Sequence, residues 1–419
     1  MNTAADPSLI DSRAAAWRLL TTLGLVVLGN SSMYVVSVVL PAVQNEFGIG
    51  RADASLPYTL MMICLGIGGL WTGKMADRHG LTPVLLLGAV AVCAGFVGAG
   101  MAGSIWMFGL AHGLMGLIGS AATFAPLMAD TALWWNRRRG IAVAICASGN
   151  YIAGSFWPPL VQYGIETMGW RQTYTWLGLV CGLGMALLAL RMRQRPPLVQ
   201  AASASGLATS AAAPDRSRPF GISPAGAQSL LFVAGVACCV AMSMPQVHIV
   251  AYCTDLGFGA ARGAEMLSLM LASGIVSRLV SGLICDRIGG IRTLLLGSAL
   301  QGIALLLFLP FDGLVPLYIV SAMFGLFQGG IVPSYAIIIR EHFAPQEAGA
   351  RVGSVIMATL LGMALGGWMS GKLFDLTGSY HAAFINGIAW NLLNLSIALF
   401  LSWRYRRSQQ QLAQSPSVA

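Results

Sequence analysis

Long apolar runs separated by short polar segments make up most of the chain. Twelve of these runs reach about 20 residues, the length that lets an α-helix cross the hydrocarbon core of a bilayer. We place these spans at residues 18–40, 55–74, 83–103, 105–133, 140–163, 172–191, 227–252, 264–284, 292–310, 314–339, 350–373 and 381–403. A bilayer offers no water to unpaired backbone groups, so the pattern predicts an all-α polytopic membrane protein.

The first six spans and the last six are related by an internal repeat. GKMADRHG (73–80) and GLICDRIG (282–289) both fit G-x-x-x-D-R-x-G at a shift of 209 residues. The same shift relates four further pairs of glycines: Gly88 and Gly297, Gly116 and Gly325, Gly140 and Gly349, and Gly169 and Gly378. One shift that joins six spans to six spans indicates two pseudo-symmetric bundles, an architecture of transporters with a substrate site between the repeats.

The repeat and the polar segments divide the chain into five parts. They are a tail at 1–17, a bundle at 18–191, a linker at 192–226, a second bundle at 227–403 and a tail at 404–419. The linker is rich in Ser, Ala and Pro, a composition typical of flexible connections. The first tail lacks the features of a secretory signal, so we expect the amino terminus to stay in the cytoplasm.

The basic residues orient the spans. The net charge is +9, and all but five of the 24 Lys and Arg residues fall on the side of the termini and the linker. The exceptions are Arg51, Arg171, Arg262 and Lys372 on the other side, and Arg278 inside a span. Cytoplasmic loops carry such an excess, so we expect both termini in the cytoplasm, and nucleic-acid binding is not needed to explain the charge.

Composition excludes other classes of protein. Hydrophobic residues make up 56% of the chain and charged residues 9%, whereas soluble domains carry about 25% charged residues. The eight cysteines form no CxxC pair, so we expect neither a metal site nor a disulfide framework. GxxxxGK[ST] is absent, so ATP is not expected to drive transport. The histidines and acids are too dispersed for an enzyme site, and we expect no cofactor.

Arg278 is the residue of the eighth span that most needs an explanation. A charge at the centre of a membrane helix costs about 2.5–3.5 kcal/mol on insertion scales. Gly274 and Gly282 stand one turn to either side, so no acid on the same helix is placed to neutralise it. It either extends towards Asp286, about 12 Å along the helix, or binds an anion with its planar fork of N–H donors. The repeat favours the anion, because the equivalent position in the first half is Gly69.

Several motifs resemble those of a known family. The loop sequence G-x-x-x-D-R-x-G between the second and third spans resembles the signature of the major facilitator superfamily, although Leu81 and Thr82 replace its usual basic residues. NRRRGIAVAICASGNYIAG (136–154), Arg278 and GKLFDLTGSYHAAF (371–384) resemble the monocarboxylate and oxalate/formate transporters of that superfamily. The acidic-Gly-aromatic motif of animal monocarboxylate transporters is missing, since the first span reads NSSMYVV (30–36).

The resemblance implies roles for individual residues. Arg278 would bind the substrate carboxylate, and Tyr34, Asn150 and Tyr335 would line the cavity. The loop residues would hold one conformation of the two halves through contacts with neighbouring helix ends, or serve only as turns; they are Gly73, Asp77, Arg78, Gly282, Asp286 and Arg287.

Protons, if they are coupled, need a titrating group, because Gly274 stands where some animal relatives have an acid. His112, His248 and Asp255 are the candidates for that group. His112 and His248 are also interpretable as hydrogen-bonded structural histidines, and Asp255 as an ordinary loop acid.

The function expected from these observations is secondary transport of a small organic monocarboxylate, by proton symport or anion exchange. We expect a monomer in a bacterial-type inner membrane that contacts lipid, its anion and protons, with no nucleic-acid partner. A drug exporter on the same fold is the first alternative, although the Gly-Pro motif that such exporters often carry in the fifth span is missing. A membrane sensor without flux is the second alternative.

Overall fold

The computed structural model describes residues 9–194 and 219–414, and every spanning element in these ranges is a helix. The twelve helices are α1 (Arg13–Phe47), α2 (Arg51–His79), α3 (Leu81–Gly100), α4 (Ile105–Trp134), α5 (Arg139–Met168), α6 (Trp170–Arg191), α7 (Pro224–Asp255), α8 (Ala260–Ile288), α9 (Gly290–Leu307), α10 (Leu314–His342), α11 (Gln346–Thr377) and α12 (Tyr380–Ser408). Each is long and apolar enough to cross a membrane. Most of the linker predicted at 192–226 lies outside the described residues.

The twelve helices form two halves with equivalent internal packing, which confirms the predicted fold class. In the N-terminal half α3 packs on α6 and α2 on α4, and in the C-terminal half α9 packs on α12 and α8 on α10. These are the same pairs after a shift of six helices. The internal repeat in the sequence is therefore a repeat of packing contacts.

Two pairs of repeat glycines show why the repeat keeps them. A Cβ on Gly116 would run into the carbonyl oxygen of Met61, and one on Gly325 would run into that of Met270. Met61 and Met270 are themselves 209 residues apart, so α4 approaches α2 as α10 approaches α8. At the ends of the loop motifs Gly80 has φ +84° and Gly289 has φ +82°, a conformation that favours glycine.

Three spanning helices are interrupted near their middles. α1 breaks at Asn30, whose side chain donates to the Val26 carbonyl at 3.0 Å. α4 contains a π-helical stretch, Met115–Ser120, and α10 is interrupted at Gly329 and Gly330. The repeat shift maps Ser120 to Gly329, so α4 and α10 are irregular at equivalent depths.

We name the two faces of the molecule by what lies there. The linker side is where α6 ends and α7 begins, and the far side is where α1 ends and α2 begins. A buried ion pair closes the N-terminal half at the linker side: Arg18 Nε and Nη2 donate to the two carboxylate oxygens of Asp130 at 2.8 and 2.9 Å. Both side chains are 7% exposed, and the Arg18 guanidinium also stacks 4.4 Å above the ring of Trp134.

Within the described ranges the halves meet mainly through three helix pairs, which are α2 with α11, α5 with α8 and α1 with α7, and α1 also contacts α8. Along α2 and α11 the contacts run from the far side, where a Cβ on Gly371 would meet the backbone of Arg51, to mid-membrane. There, a Cβ on Gly66 would lie 2.6 Å from Sδ of Met357. Closer to the linker side, Gly69 and Gly353 face no atom within 4 Å.

The glycines of α5 and α8 show the same change, from close contacts to open surroundings, towards the linker side. Gly154 packs against Leu271 and Gly274 against Tyr151, whereas Gly140 and Gly282, nearer the linker side, face no atom within 4 Å. Among the described residues, the contacts between the halves named here therefore lie on the far side and at mid-membrane.

Candidate functional site

Arg278 lies on the part of α8 that contacts α5, and its described contacts come from the opposite half of the protein. Its Nη1 donates to the carbonyl oxygen of Ala147 at 3.0 Å. Its guanidinium carbon lies 4.5 Å above the ring of Tyr151. Ala147 and Tyr151 both belong to α5, so an arginine of the C-terminal half is held by a helix of the N-terminal half.

The rest of the Arg278 guanidinium is available. Its Nε is buried and has no hydrogen-bond partner within residues 9–194 and 219–414. Among the described residues no Asp or Glu forms an ion pair with it, so the pairing with Asp286 that we considered from sequence is not formed. An arginine stays protonated in proteins, so this site holds an uncompensated positive charge beside unused donors.

Two of the predicted cavity residues lie beside Arg278. Tyr34 is 3% exposed, and its ring packs against Gly154 of α5. Its phenol lies within the electrostatic range of Arg278 and within hydrogen-bonding reach of Asn150. The Oδ1 of Asn150 is buried and has no hydrogen-bond partner in the described part of the chain. The structure thus brings Tyr34 from α1, Asn150 from α5 and Arg278 from α8 together around unsatisfied polar atoms.

Tyr335 is engaged elsewhere. Its hydroxyl donates to Oδ1 of Asn394 at 2.7 Å, and Nδ2 of Asn394 donates to the hydroxyl of Ser298 at 2.8 Å. All three residues are buried, and they join α9, α10 and α12 inside the C-terminal half. In this structure the hydroxyl of Tyr335 is bonded within its own half, and a substrate role for Tyr335 stays a prediction.

His112 is enclosed within the N-terminal half. Its Nδ1 lies 2.9 Å from the Phe108 carbonyl oxygen, and its Nε2 lies 3.3 Å from the hydroxyl of Tyr174. The ring also packs against those of Phe108 and Tyr174, and it is fully buried. These contacts match the structural interpretation of His112 that sequence analysis left open.

Asp255 and His248 belong to one cluster on the far side, which we call the far-side latch: Arg51, Asp255, Asp375, Tyr380 and His248. Arg51 Nη2 donates to Oδ1 of Asp255 at 2.6 Å, and its Nη1 donates to the hydroxyl of Tyr380 at 3.2 Å. The Tyr380 hydroxyl also lies 3.2 Å from Nδ1 of His248. Arg51 is the only member from the N-terminal half, so these bonds fasten the two halves together.

Asp375 completes the latch at the start of α2. Its carboxylate oxygens accept the backbone N–H groups of Arg51 at 2.7 Å and Ala52 at 2.9 Å. An acid at a helix N-terminus satisfies donors that the helix leaves free. Sequence reasoning missed both Arg51 and Asp375. The usable signal was that Arg51 is one of four basic residues on the far side and that Asp375 lies within the 371–384 stretch.

The loop motifs make no such fastening on the linker side. Asp77, Arg78, Asp286 and Arg287 are exposed, and no ion pair in the described ranges includes any of them. Gly73 and Gly282 face no atom within 4 Å. In this conformation the four motif charges are exposed on the linker side.

Twelve spans in two related halves, with a charged residue where the halves meet, define a secondary transporter fold. The sequence model of the Major Facilitator Superfamily matches residues 21–316 and 266–418, and the chain belongs to this superfamily.

Relatives of the chain include monocarboxylate transporters. The chain is 28% identical over 358 residues to monocarboxylate transporter 13 of Rattus norvegicus, a match covering 83% of this chain and 78% of that protein. It is 24% identical to monocarboxylate transporter 4 of Gallus gallus, covering 84% and 74%. It is also 23% identical to the MFS-type transporter pynF of Aspergillus niger, covering 82% and 77%.

Solved transporters share the fold. A bacterial homologue of the human lysosomal transporter Spinster, in an inward-facing and occupied conformation, aligns with a TM-score of 0.71 at 14% identity, over 96% of this chain and 99% of that one. The peptide transporter POT in complex with sulfate aligns with a TM-score of 0.71 at 14% identity, over 94% and 95%. These alignments bear on the fold alone.

Proposed function

We propose that this superfamily transporter moves a small organic monocarboxylate and that Arg278 binds the carboxylate. The observation that carries the proposal is the buried, unpartnered Nε of an arginine whose Nη1 is already held by Ala147. Nε and Nη2 form one edge of the guanidinium, and this edge matches the two oxygens of a carboxylate. The monocarboxylate transporters among the relatives support the same substrate class.

The remaining groups of the site suit such a substrate. The Tyr34 hydroxyl can donate to a carboxylate oxygen while its ring contacts an apolar tail. The Asn150 Oδ1 can accept a hydrogen bond from a donor that the substrate carries. Both groups belong to the N-terminal half and Arg278 belongs to the C-terminal half, so a bound anion would contact both halves. A site shared in this way suits transport by alternating access.

If the mechanism is symport, we assign proton coupling to the far-side latch rather than to His112. His248 reaches the Arg51–Asp255 pair through the Tyr380 hydroxyl, so its protonation state acts on contacts between the halves. Among the described residues, the hydrogen-bond and ring contacts of His112 are with its own half. Anion exchange needs no such group and stays the other form of the proposal.

The orientation of the proposed transporter follows from its basic residues. We propose a bacterial-type inner membrane with both termini in the cytoplasm, which makes the linker side cytoplasmic. A reporter that fluoresces only in the cytoplasm, fused to the C-terminus, should be bright. A dark, exported reporter would contradict the orientation.

Uptake of labelled acetate, lactate and pyruvate into proteoliposomes, with and without an imposed pH gradient, tests the function. We expect saturable uptake that Arg278→Ala abolishes and that Arg278→Lys does not fully restore, because an ammonium lacks the planar fork. Carboxylate uptake that survives Arg278→Ala unchanged would refute the assignment of Arg278. Transport of organic cations without any carboxylate flux would favour the exporter alternative.

The same proteoliposomes test the coupling. Under symport, His248→Gln should abolish accumulation driven by the pH gradient, whereas His112→Gln should retain it. Gradient-driven accumulation that persists in His248→Gln would remove the latch from the coupling mechanism.

A further inference from the structure

Gly274 leaves a space in α8 that a residue of the other half occupies. A Cβ on Gly274 would lie 2.9 Å from both Cδ1 and Cε1 of Tyr151, closer than carbon atoms pack. The Tyr151 ring is 5% exposed, so it is enclosed at this position. The aromatic ring of α5 therefore fills the place where a side chain one turn before Arg278 would stand.

The same ring supports the guanidinium. Arg278 lies 4.5 Å above its face, while the Ala147 carbonyl, one turn earlier on α5, accepts from Nη1 at 3.0 Å. A ring face and a carbonyl together restrict a long side chain that otherwise has many rotamers. They also leave the Nε edge free, because neither contact uses it.

We propose that Tyr151 is a positioning residue for Arg278 and that Gly274 is required because it makes room for the Tyr151 ring. The proposal rests on the carboxylate-binding role of Arg278. Tyr151 stabilises the cation without neutralising it, since an aromatic face carries no formal charge. An acid at position 274 would instead compete with the substrate for the guanidinium. Tyr151 and Gly274 together therefore set the affinity of the Arg278 site for anions.

The ring face, rather than the hydroxyl, carries this role, and substitutions separate the two. In proteoliposome uptake of labelled lactate, acetate and pyruvate, Tyr151→Leu should raise KM about tenfold with a smaller effect on kcat, because the stacked cation loses its support. Tyr151→Phe keeps the ring and should stay within about twofold of the wild-type KM. A KM that is unchanged in Tyr151→Leu would overturn the proposal.

Gly274→Ala tests the same contact from the other side. The added methyl group would displace the ring, so KM should rise although Arg278 and Tyr151 are both present. Combined with Tyr151→Leu, Gly274→Ala should raise KM little further, because both substitutions remove the same contact between Tyr151 and Arg278. Independent, fully additive effects of the two substitutions would contradict a shared role. Gly98→Ala on α3, where a Cβ meets no atom within 4 Å, is the matched control and should leave KM unchanged.

The outcomes distinguish this inference from the proposed function. Carboxylate uptake that survives Arg278→Ala overturns the function itself. Loss of uptake in Arg278→Ala, together with a wild-type KM in both Tyr151→Leu and Gly274→Ala, overturns only the positioning role. Should Tyr151→Leu fail to fold, as judged by size-exclusion profile and thermal melting, Gly274→Ala decides the question.

Discussion

Arg51 offers a direct test of what keeps the far side closed. Its side chain is 8% exposed and its partner Asp255 is 32% exposed, so their ion pair contributes about 1 kcal/mol after screening. Its guanidinium also stacks 4.9 Å from the ring of Phe374 and donates to Tyr380, which contributes about another 1 kcal/mol. Arg51→Ala should therefore lower the ratio of far-side-closed to far-side-open molecules by about 30-fold.

Distances between spin labels measure that ratio. Labels introduced as unnatural amino acids at Asp53 and Thr377 avoid the eight native cysteines, and both positions are exposed at the far ends of α2 and α11. Double electron–electron resonance in nanodiscs should show one short distance between the two labels in the unsubstituted protein. In Arg51→Ala it should show an additional, longer distance.

The matched control is Arg262, another far-side arginine. It pairs with Glu265 three residues away on the same helix, and both side chains are largely exposed. Arg262→Ala breaks an ion pair without touching the contact between the halves, so the distance distribution should not change. An Arg51→Ala protein with the same distances as the Arg262→Ala protein would refute the view that the latch fastens the halves.

Two further predictions concern the scaffold. Asp130→Ala leaves Arg18 buried without its counter-ion and should destabilise the protein by about 3–5 kcal/mol, whereas the double change Arg18→Met with Asp130→Leu should lose less; thermal melting in detergent measures both, and equal losses would show that burial of the charge is not the cause. Gly116→Ala and Gly325→Ala should each cost about 1–3 kcal/mol by forcing a methyl group into a backbone carbonyl. Gly140→Ala, which meets no atom, should melt like the wild type, and a similar fall in its melting temperature would contradict the close-packing explanation.

The fold was predictable because membrane spans and repeats leave marks in a single sequence. Hydropathy located twelve spans, but it made most of them too short. The second span was predicted at 55–74, whereas α2 runs over Arg51–His79. Hydropathy detects the segment that must avoid water, and a helix continues past it through Lys74 and Arg78 until Gly80 takes a positive φ.

The site was less predictable, because cross-half contacts have no periodicity. Arg278 stood out as a lone charge, but the sequence held no sign that Tyr151 lies against it. The position of Tyr335 in a cavity-lining span suggested a substrate role, yet helical phase directs its hydroxyl to Asn394. A span shows how deep a residue lies in the membrane, and only tertiary packing shows which neighbour it faces.

The arginine has no twin in the repeat, since Gly69 holds the equivalent place. Under the proposed function, a bound anion is therefore held by the C-terminal half and keeps its position relative to that half. Tyr34 and Asn150 belong to the other half and change position relative to that anion as the halves rock. During translocation the N-terminal half then moves relative to an anion that stays bound to α8. The charged end of the anion points towards α8 both when the site opens to one side of the membrane and when it opens to the other.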